Sequence, residues 1–289
     1  MAAMQEKKAN FILFIVALIW GGGFIAGKMS LTAATPMAII FYRYSIGAFM
    51  CAIAFRKRIA KASGSVIIKG IVIGLIQLAG QYVQLSGLRY TSSANQSFLC
   101  TAYVAFVPFI SWVILRKRPA LREFGAGFAA LTGIGFICLK ESLTIGPGDG
   151  LSVLFSLIFG IQIVLVGKLV KNDTDCMAMS FFQLLTVSVL SLTACTLSGQ
   201  MALVPTWEGI TGILYLGILN TFVAFVGQNY AQKYTRDTVA SLIMSFESIF
   251  GFVFSVMYYG ETVTCRFMLG GALCFAAVLI NTMGKGKEK

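Results

Sequence analysis

The chain has 289 residues, of which 57% are hydrophobic and only 12% charged, with 30 glycines and no histidine. That composition is too apolar for an ordinary soluble domain, and the missing histidine removes the commonest general base and metal ligand. The formal charge of +12 is spread in short clusters between apolar stretches, which suits a membrane better than one nucleic-acid-binding surface.

Read with a window of about 20 residues, the length that crosses a bilayer core, the sequence predicts ten apolar spans in chain order. The first, 11–31, follows Lys7 and Lys8 and places Trp20, Phe24 and Lys28 on one face, with Gly23 and Gly27 permitting close packing. It is too long for a signal peptide and no A-x-A site follows it. The second, 36–55, carries Arg43 about seven residues inside. The third, 66–86, aligns Gly70, Gly74, Gln77, Gln81 and Gln84 on one stripe that cannot face lipid. The fourth, 93–114, puts Gln96, Cys100 and Tyr103 on one face and Pro108 at an expected kink.

The fifth span covers 123–140. The sixth, 150–168, contains Gln162; the seventh is 177–197; the eighth, 209–230, contains Asn220. The ninth, 238–259, holds Glu247, and the tenth is 266–283. Among 11 acidic residues Glu247 alone lies deep in a span, where a carboxylate is costly unless paired, protonated or hydrogen-bonded. Continuous apolar runs favour helices over the alternating strands of a barrel. With the N-terminus cytoplasmic, 18 of the 23 lysines and arginines fall on the cytoplasmic side, so both termini are expected there. The seven cysteines show neither CxxC nor zinc spacing and read as small buried thiols.

The two halves also match each other. ALIWGGGFIAGKM (17–29) parallels LIFGIQIVLVGKL (157–169), MAIIFYR (37–43) parallels MAMSFFQ (177–183), and RYTSS (89–93) parallels KYTRD (233–237), at offsets of 140 to 144. Gln77 and Asn220 become counterparts, as do Tyr103 and Glu247. Five spans per copy is an odd number, so the second copy must enter the membrane inverted, the arrangement secondary transporters use for alternating access. The expected fold is therefore all-α, ten transmembrane helices in two inverted five-helix repeats, residues 1–144 and 145–289.

WGGGFIAGK in the first span, PMAIIFYR leading into SIGA in the second and TSSANQSFLCTAYVAFVP entering the fourth resemble the EamA-type drug/metabolite transporter superfamily. In the second half GD at 148–149, YTRDTVASLIMSFES and GETVTCRFMLGGA continue the resemblance. It implies a central cavity between the repeats, a bacterial cytoplasmic membrane location, and small metabolites as cargo, often exported. Two departures stand out. The family's Glu-Pro in the ninth span is Glu247-Ser248 here, and its Gly-Glu after the fourth becomes a basic cluster around Lys117, whereas Gly260-Glu261 keeps it.

The expected function is a secondary transporter, in the exporting direction, of small polar or amphipathic metabolites, amino acids or related compounds, in a lipid bilayer. Trp20, Gln77, Gln81, Tyr103, Gln162, Asn220 and Glu247 are expected to bind substrate; Lys28 and Arg43 are structural or substrate-contacting charges. No cofactor, metal, catalytic residue or nucleic acid is expected. Proton coupling through Glu247 and a homodimer are left open. A channel is the alternative, although no ring of charge or filter-like sequence is present. An intramembrane enzyme would need a nucleophile with histidine or paired acids, or a metal set, which a histidine-free chain with one deep carboxylate does not offer.

Overall fold

The computed structural model describes residues 2–116, 146–171 and 174–260, with residues 125, 128, 129, 132, 133, 136, 265, 268–273, 275 and 276. Most of the predicted fifth and tenth spans lies outside the described residues, as do Lys117, Glu261 and Arg266. The described elements are helices: α1 (Ala2–Ser30), α2 (Pro36–Ile59), α3 (Gly64–Leu88), α4 (Ser93–Cys100), α5 (Tyr103–Leu115), α6 (Pro147–Leu169), α7 (Cys176–Ser198), α8 (Trp207–Tyr215), α9 (Ala224–Gln232), α10 (Asp237–Met244) and α11 (Glu247–Tyr259). A π-helical stretch, Leu216–Val223, joins α8 to α9. They make up eight helical spans long and apolar enough to cross a membrane. Among the described residues there is no strand, only an isolated bridge between Ala34 and Leu203.

Polar residues punctuate the spans where apolar pattern stops. Thr35, Ser92, Asp175 and Thr206 each accept a backbone N–H at a helix start, satisfying donors that have no partner inside the helix. Gly199 and Gly260 end α7 and α11 in the left-handed region, and so does Arg116 at the end of α5, with φ 56. The residue that replaces glycine after the fourth span thus keeps glycine's conformation.

The internal correspondence extends to details that apolarity alone does not explain. The fourth and ninth spans are both interrupted, at Thr101–Ala102 and at Ser245–Phe246, and α4 and α5 map onto α10 and α11 at one offset of 144. Hydroxyls stabilise both interruptions by bonding carbonyls three residues back: Ser97 to Ala94 and Thr101 to Phe98, then Ser241 to Thr238 and Ser245 to Leu242. Such bonds compete with the helix ladder and bend it. Pro108 lies inside α5, beyond the break. Glycine contacts correspond as well: a Cβ at Gly74 would meet Thr186, and one at Gly217 would meet Ile46. Further glycines let α2 approach α7, at Gly47 against Leu184, and α3 approach α6, at Gly80 against Ile158.

The connectors sort to two ends of the bundle. At one end Val204 N donates to Ala33 O at 2.8 Å and Tyr42 donates to Met201 O at 3.0 Å. At the other, Lys69 donates to Thr174 Oγ1 at 2.8 Å, Thr235 to Asn10 Oδ1 at 2.7 Å, and Arg58 pairs with Asp175 at 3.5 Å. The basic residues 56–61 gather at this second end. Cys51, Cys100, Cys176 and Cys195 are buried free thiols, whereas Cys265 is exposed.

Candidate functional site

A cavity opens between α1, α2, α3, α4, α6, the π-helical stretch, α9 and α11, in the half of the bundle toward Ser30 and Leu88. Its polar lining comes from Arg43, Gln81, Gln84, Gln96, Asn220 and Glu247, and its apolar walls include Trp20, Phe24, Phe155, Phe159 and Phe225. The open space is about 40 Å3, room for roughly three waters.

Arg43 organises the polar side. It is 2% exposed, and its Nε donates to Thr221 Oγ1 at 2.8 Å while its terminal nitrogens donate to Gln81 Oε1 at 3.1 Å and Asn220 Oδ1 at 2.6 Å. The guanidinium carbon also stands 5.2 Å from the Tyr44 ring centroid. A planar fork with five donors can hold three acceptors from two helical spans at once, which an ammonium cannot do with the same geometry. Asn220 is positioned in turn by the π-helical stretch. Its carbonyl accepts the indole N–H of Trp20 at 3.2 Å, which ties the stretch to α1, and single π-helical turns of this kind are frequent at functional sites.

Glu247 is 4% exposed and begins α11 at the interruption of the ninth span. Tyr103 and Cys100 are its close electrostatic neighbours, so the two repeat counterparts Tyr103 and Glu247 meet at the centre of the bundle. Among the described residues Arg43 and Glu247 form no ion pair with each other. Trp20 packs edge-on to Phe159 at 5.4 Å and near Phe225 at 5.3 Å, and Phe155 stacks on Phe159 at 5.4 Å. These rings make a continuous apolar wall beside two opposite charges.

The residues expected from sequence to share one site are divided between two. Trp20, Gln81, Asn220 and Glu247 line the cavity together with Arg43. Tyr103 is fully buried behind it against Phe159, at 5.2 Å. Gln77 and Gln162 belong to a separate buried cluster, where Gln162 donates to Gln77 at 3.4 Å and Gln77 donates to the Tyr44 hydroxyl at 2.6 Å. Lys28 faces the ring of Tyr259 at 5.3 Å and is not part of the cavity lining. The sequence pattern does not mark the aromatic wall of Phe155, Phe159 and Phe225, although Phe155, Phe159 and Gln162 recur at helical spacing. Among the described residues no group of three or more histidine, cysteine, aspartate or glutamate side chains is placed to hold a metal.

A multi-pass helical protein with a buried, charged and aromatic-walled cavity has the features of a small-molecule site within the bundle. The model of the EamA-like transporter family matches residues 7–139 and 146–283, and the chain belongs to that family. An uncharacterized transporter of Archaeoglobus fulgidus is 29% identical over 97% of this chain and 87% of its own length. The uncharacterized transporter YoaV of Bacillus subtilis is 25% identical over 95% of this chain and 96% of its own. A solved crystal structure at 16% identity shares the fold, with a TM-score of 0.75 over 96% of this chain and 97% of that one. The chain is thus a membrane transporter of the drug/metabolite transporter superfamily, and its family points away from enzymes.

Gly23 tests how tightly the cavity is built, because a Cβ there would run into the Asn220 side-chain amide. Gly23→Ala should push Asn220 off Arg43 and reduce saturable uptake in proteoliposomes about tenfold, the size of a modest overpacking cost. Gly64→Ala, where a Cβ meets nothing within 4 Å, should leave uptake unchanged.

Proposed function

We propose that the protein is a secondary transporter that exports small zwitterionic metabolites, amino acids or related compounds, by alternating access between two inverted five-helix repeats, residues 1–144 and 145–289, across a bacterial cytoplasmic membrane with both termini cytoplasmic. The observation that carries this reading is the presence in one cavity of a cation, Arg43, and a carboxylate, Glu247, that do not pair with each other. Two separated opposite charges at membrane depth are costly unless something answers both. A zwitterion does so: its carboxylate meets Arg43 through charge-assisted bonds, its ammonium meets Glu247, and Trp20, Phe159 and Phe225 receive an apolar side chain. In this reading Gln81 and Asn220 hold Arg43 in place, and Tyr103 and Lys28 have supporting roles.

The repeat correspondence supports alternating access, because two copies with equivalent packing can exchange conformations. The small volume of the cavity fits a nearly closed state of such a cycle. Leucine is a suitable probe and isoamylamine, which lacks the carboxylate, its control. Protein in liposomes should show saturable leucine uptake that is accelerated by leucine on the opposite side, with isoamylamine at least tenfold poorer because it forfeits the charge-assisted bonds to Arg43. Uptake proportional to concentration without counter-flow would instead identify a pore.

A further inference from the structure

The second polar cluster lies in the opposite half of the bundle, and every member is almost completely buried. Asn229 donates to Gln183 Oε1 at 2.7 Å and to Ser180 Oγ at 2.8 Å, and Gln183 donates in turn to Gln77 Oε1, which also accepts from Gln162. The amides come from α3, α6, α7 and α9, so they tie elements of the two sequence halves together.

This cluster is the repeat counterpart of the one that lines the cavity. Gln183 corresponds to Arg43 in the paired segments MAMSFFQ and MAIIFYR, each seven residues inside its helix, but those helices start at opposite ends of the bundle. Gln77 corresponds to Asn220. The bond from Gln183 to Gln77 therefore repeats the bond from Arg43 to Asn220, with a neutral amide where the first copy has a cation. The glycine contacts beside them also correspond, Gly74 against Thr186 and Gly217 against Ile46.

One further feature separates the cluster from a permanent helix tie. Asn229 Oδ1 and the neighbouring Gln228 Oε1 are fully buried with no hydrogen-bond partner among the described residues. Buried acceptors in static cores are satisfied, and a half-satisfied network is worse than an apolar one. An arrangement that is closed for only part of a cycle has no such requirement, since the same atoms meet water or cargo in the other part.

We propose that Gln77, Gln162, Gln183 and Asn229 form a second, uncharged substrate half-site, closed in this state and uncovered when the bundle opens toward the end that carries Arg58 and Lys69. The inference rests on the alternating-access reading and deepens it. The half-site takes the polar groups of the cargo through neutral hydrogen bonds, so a carboxylate held by Arg43 on one side meets only amides on the other. Release toward that side is eased by the absence of a cation.

Two measurements on the full chain in liposomes test this. In a cysteine-free background, Ser180→Cys reports opening of the amide side and Leu88→Cys, at the cavity lining, reports the other, with a membrane-impermeant methanethiosulfonate reagent applied from either face. Adding Gln183→Leu, or Gln183→Met if the leucine variant does not fold, should raise Ser180→Cys labelling from the Arg58 end about tenfold and lower Leu88→Cys labelling from the opposite face, as expected when hydrogen bonds closing one state are removed. Unchanged labelling at both positions in the folded variant overturns the proposal. The second measurement is Gln183→Arg, which places a cation at the second half-site. It should slow leucine exchange more than tenfold while lowering the KM for leucine, because the guanidinium holds its carboxylate, and should raise the KM for isoamylamine, whose ammonium it repels; an unchanged KM for both compounds would show that cargo never touches this cluster. Labelling needs no cargo, so wild-type protein without saturable flux of either compound would defeat the proposed function while leaving the gating result to stand or fall separately.

Discussion

Arg43→Leu is expected to eliminate saturable uptake and to lower stability by about 3 kcal/mol or more, since each acceptor left buried without a donor costs about 1–3 kcal/mol. Three acceptors are stranded at once: Thr221 Oγ1, Gln81 Oε1 and Asn220 Oδ1. The leucine side chain is too short to fill the space of the guanidinium, so packing against Tyr44 is lost as well. Arg43→Lys separates charge from geometry. An ammonium keeps the cation but cannot present its donors in a planar fork, so the lysine variant should fold, as judged by thermal unfolding, yet take up leucine about 10- to 100-fold more slowly, the cost of one or two charge-assisted bonds. Lysine activity equal to wild type would show that the cavity needs only a positive charge, and normal uptake by Arg43→Leu would remove Arg43 from the site altogether.

Why this network was only half visible in the sequence has a physical answer. The positions of the described spans follow from bilayer thickness, so apolar windows place α2, α3 and α6 to α11 within a few residues of their bounds. The first helix departs most, because Glu6, Lys7 and Lys8 continue it beyond the apolar stretch. Charges embedded in apolar runs are conspicuous, and Arg43 and Glu247 stand out for that reason. Their partners are not conspicuous. Thr221 and Gln183 are ordinary residues in helical patterns, and only the folded bundle brings Thr221 to Arg43 and Gln183 to Gln77. The interruptions at Thr101 and Ser245 and the π-helical stretch at Leu216–Val223 also escape an apolar window, since local hydroxyl bonds and tertiary packing decide them. The repeat itself is the most informative signal. Aligning Arg43 with Gln183 already contains the second cluster, but depth alone suggests one group of polar residues where the bundle holds two polar clusters.

The same two unpaired opposite charges predict how transport is energised. With Arg43 and Glu247 lining one cavity, the charged forms sum to zero, and a bound zwitterion adds no net charge. The empty and loaded sites can therefore change sides without a proton, so wild-type leucine flux should follow the leucine gradient alone and ignore an imposed pH gradient or membrane potential. Glu247→Gln keeps the shape of the side chain and removes its charge. Uptake should fall about 10- to 100-fold through loss of the charge-assisted bond to the ammonium, with thermal stability nearly unchanged. More tellingly, the residual flux should become sensitive to membrane potential, because the site now carries an uncompensated cation, and moving one charge through the full field is worth about 2.3 kcal/mol per 100 mV. Potassium gradients with valinomycin supply the potential and leave the pH fixed. If wild-type protein instead accumulates leucine against its gradient after a pH jump, and Glu247→Gln abolishes that accumulation while still exchanging leucine, then Glu247 carries the proton and the charge-neutral cycle is wrong.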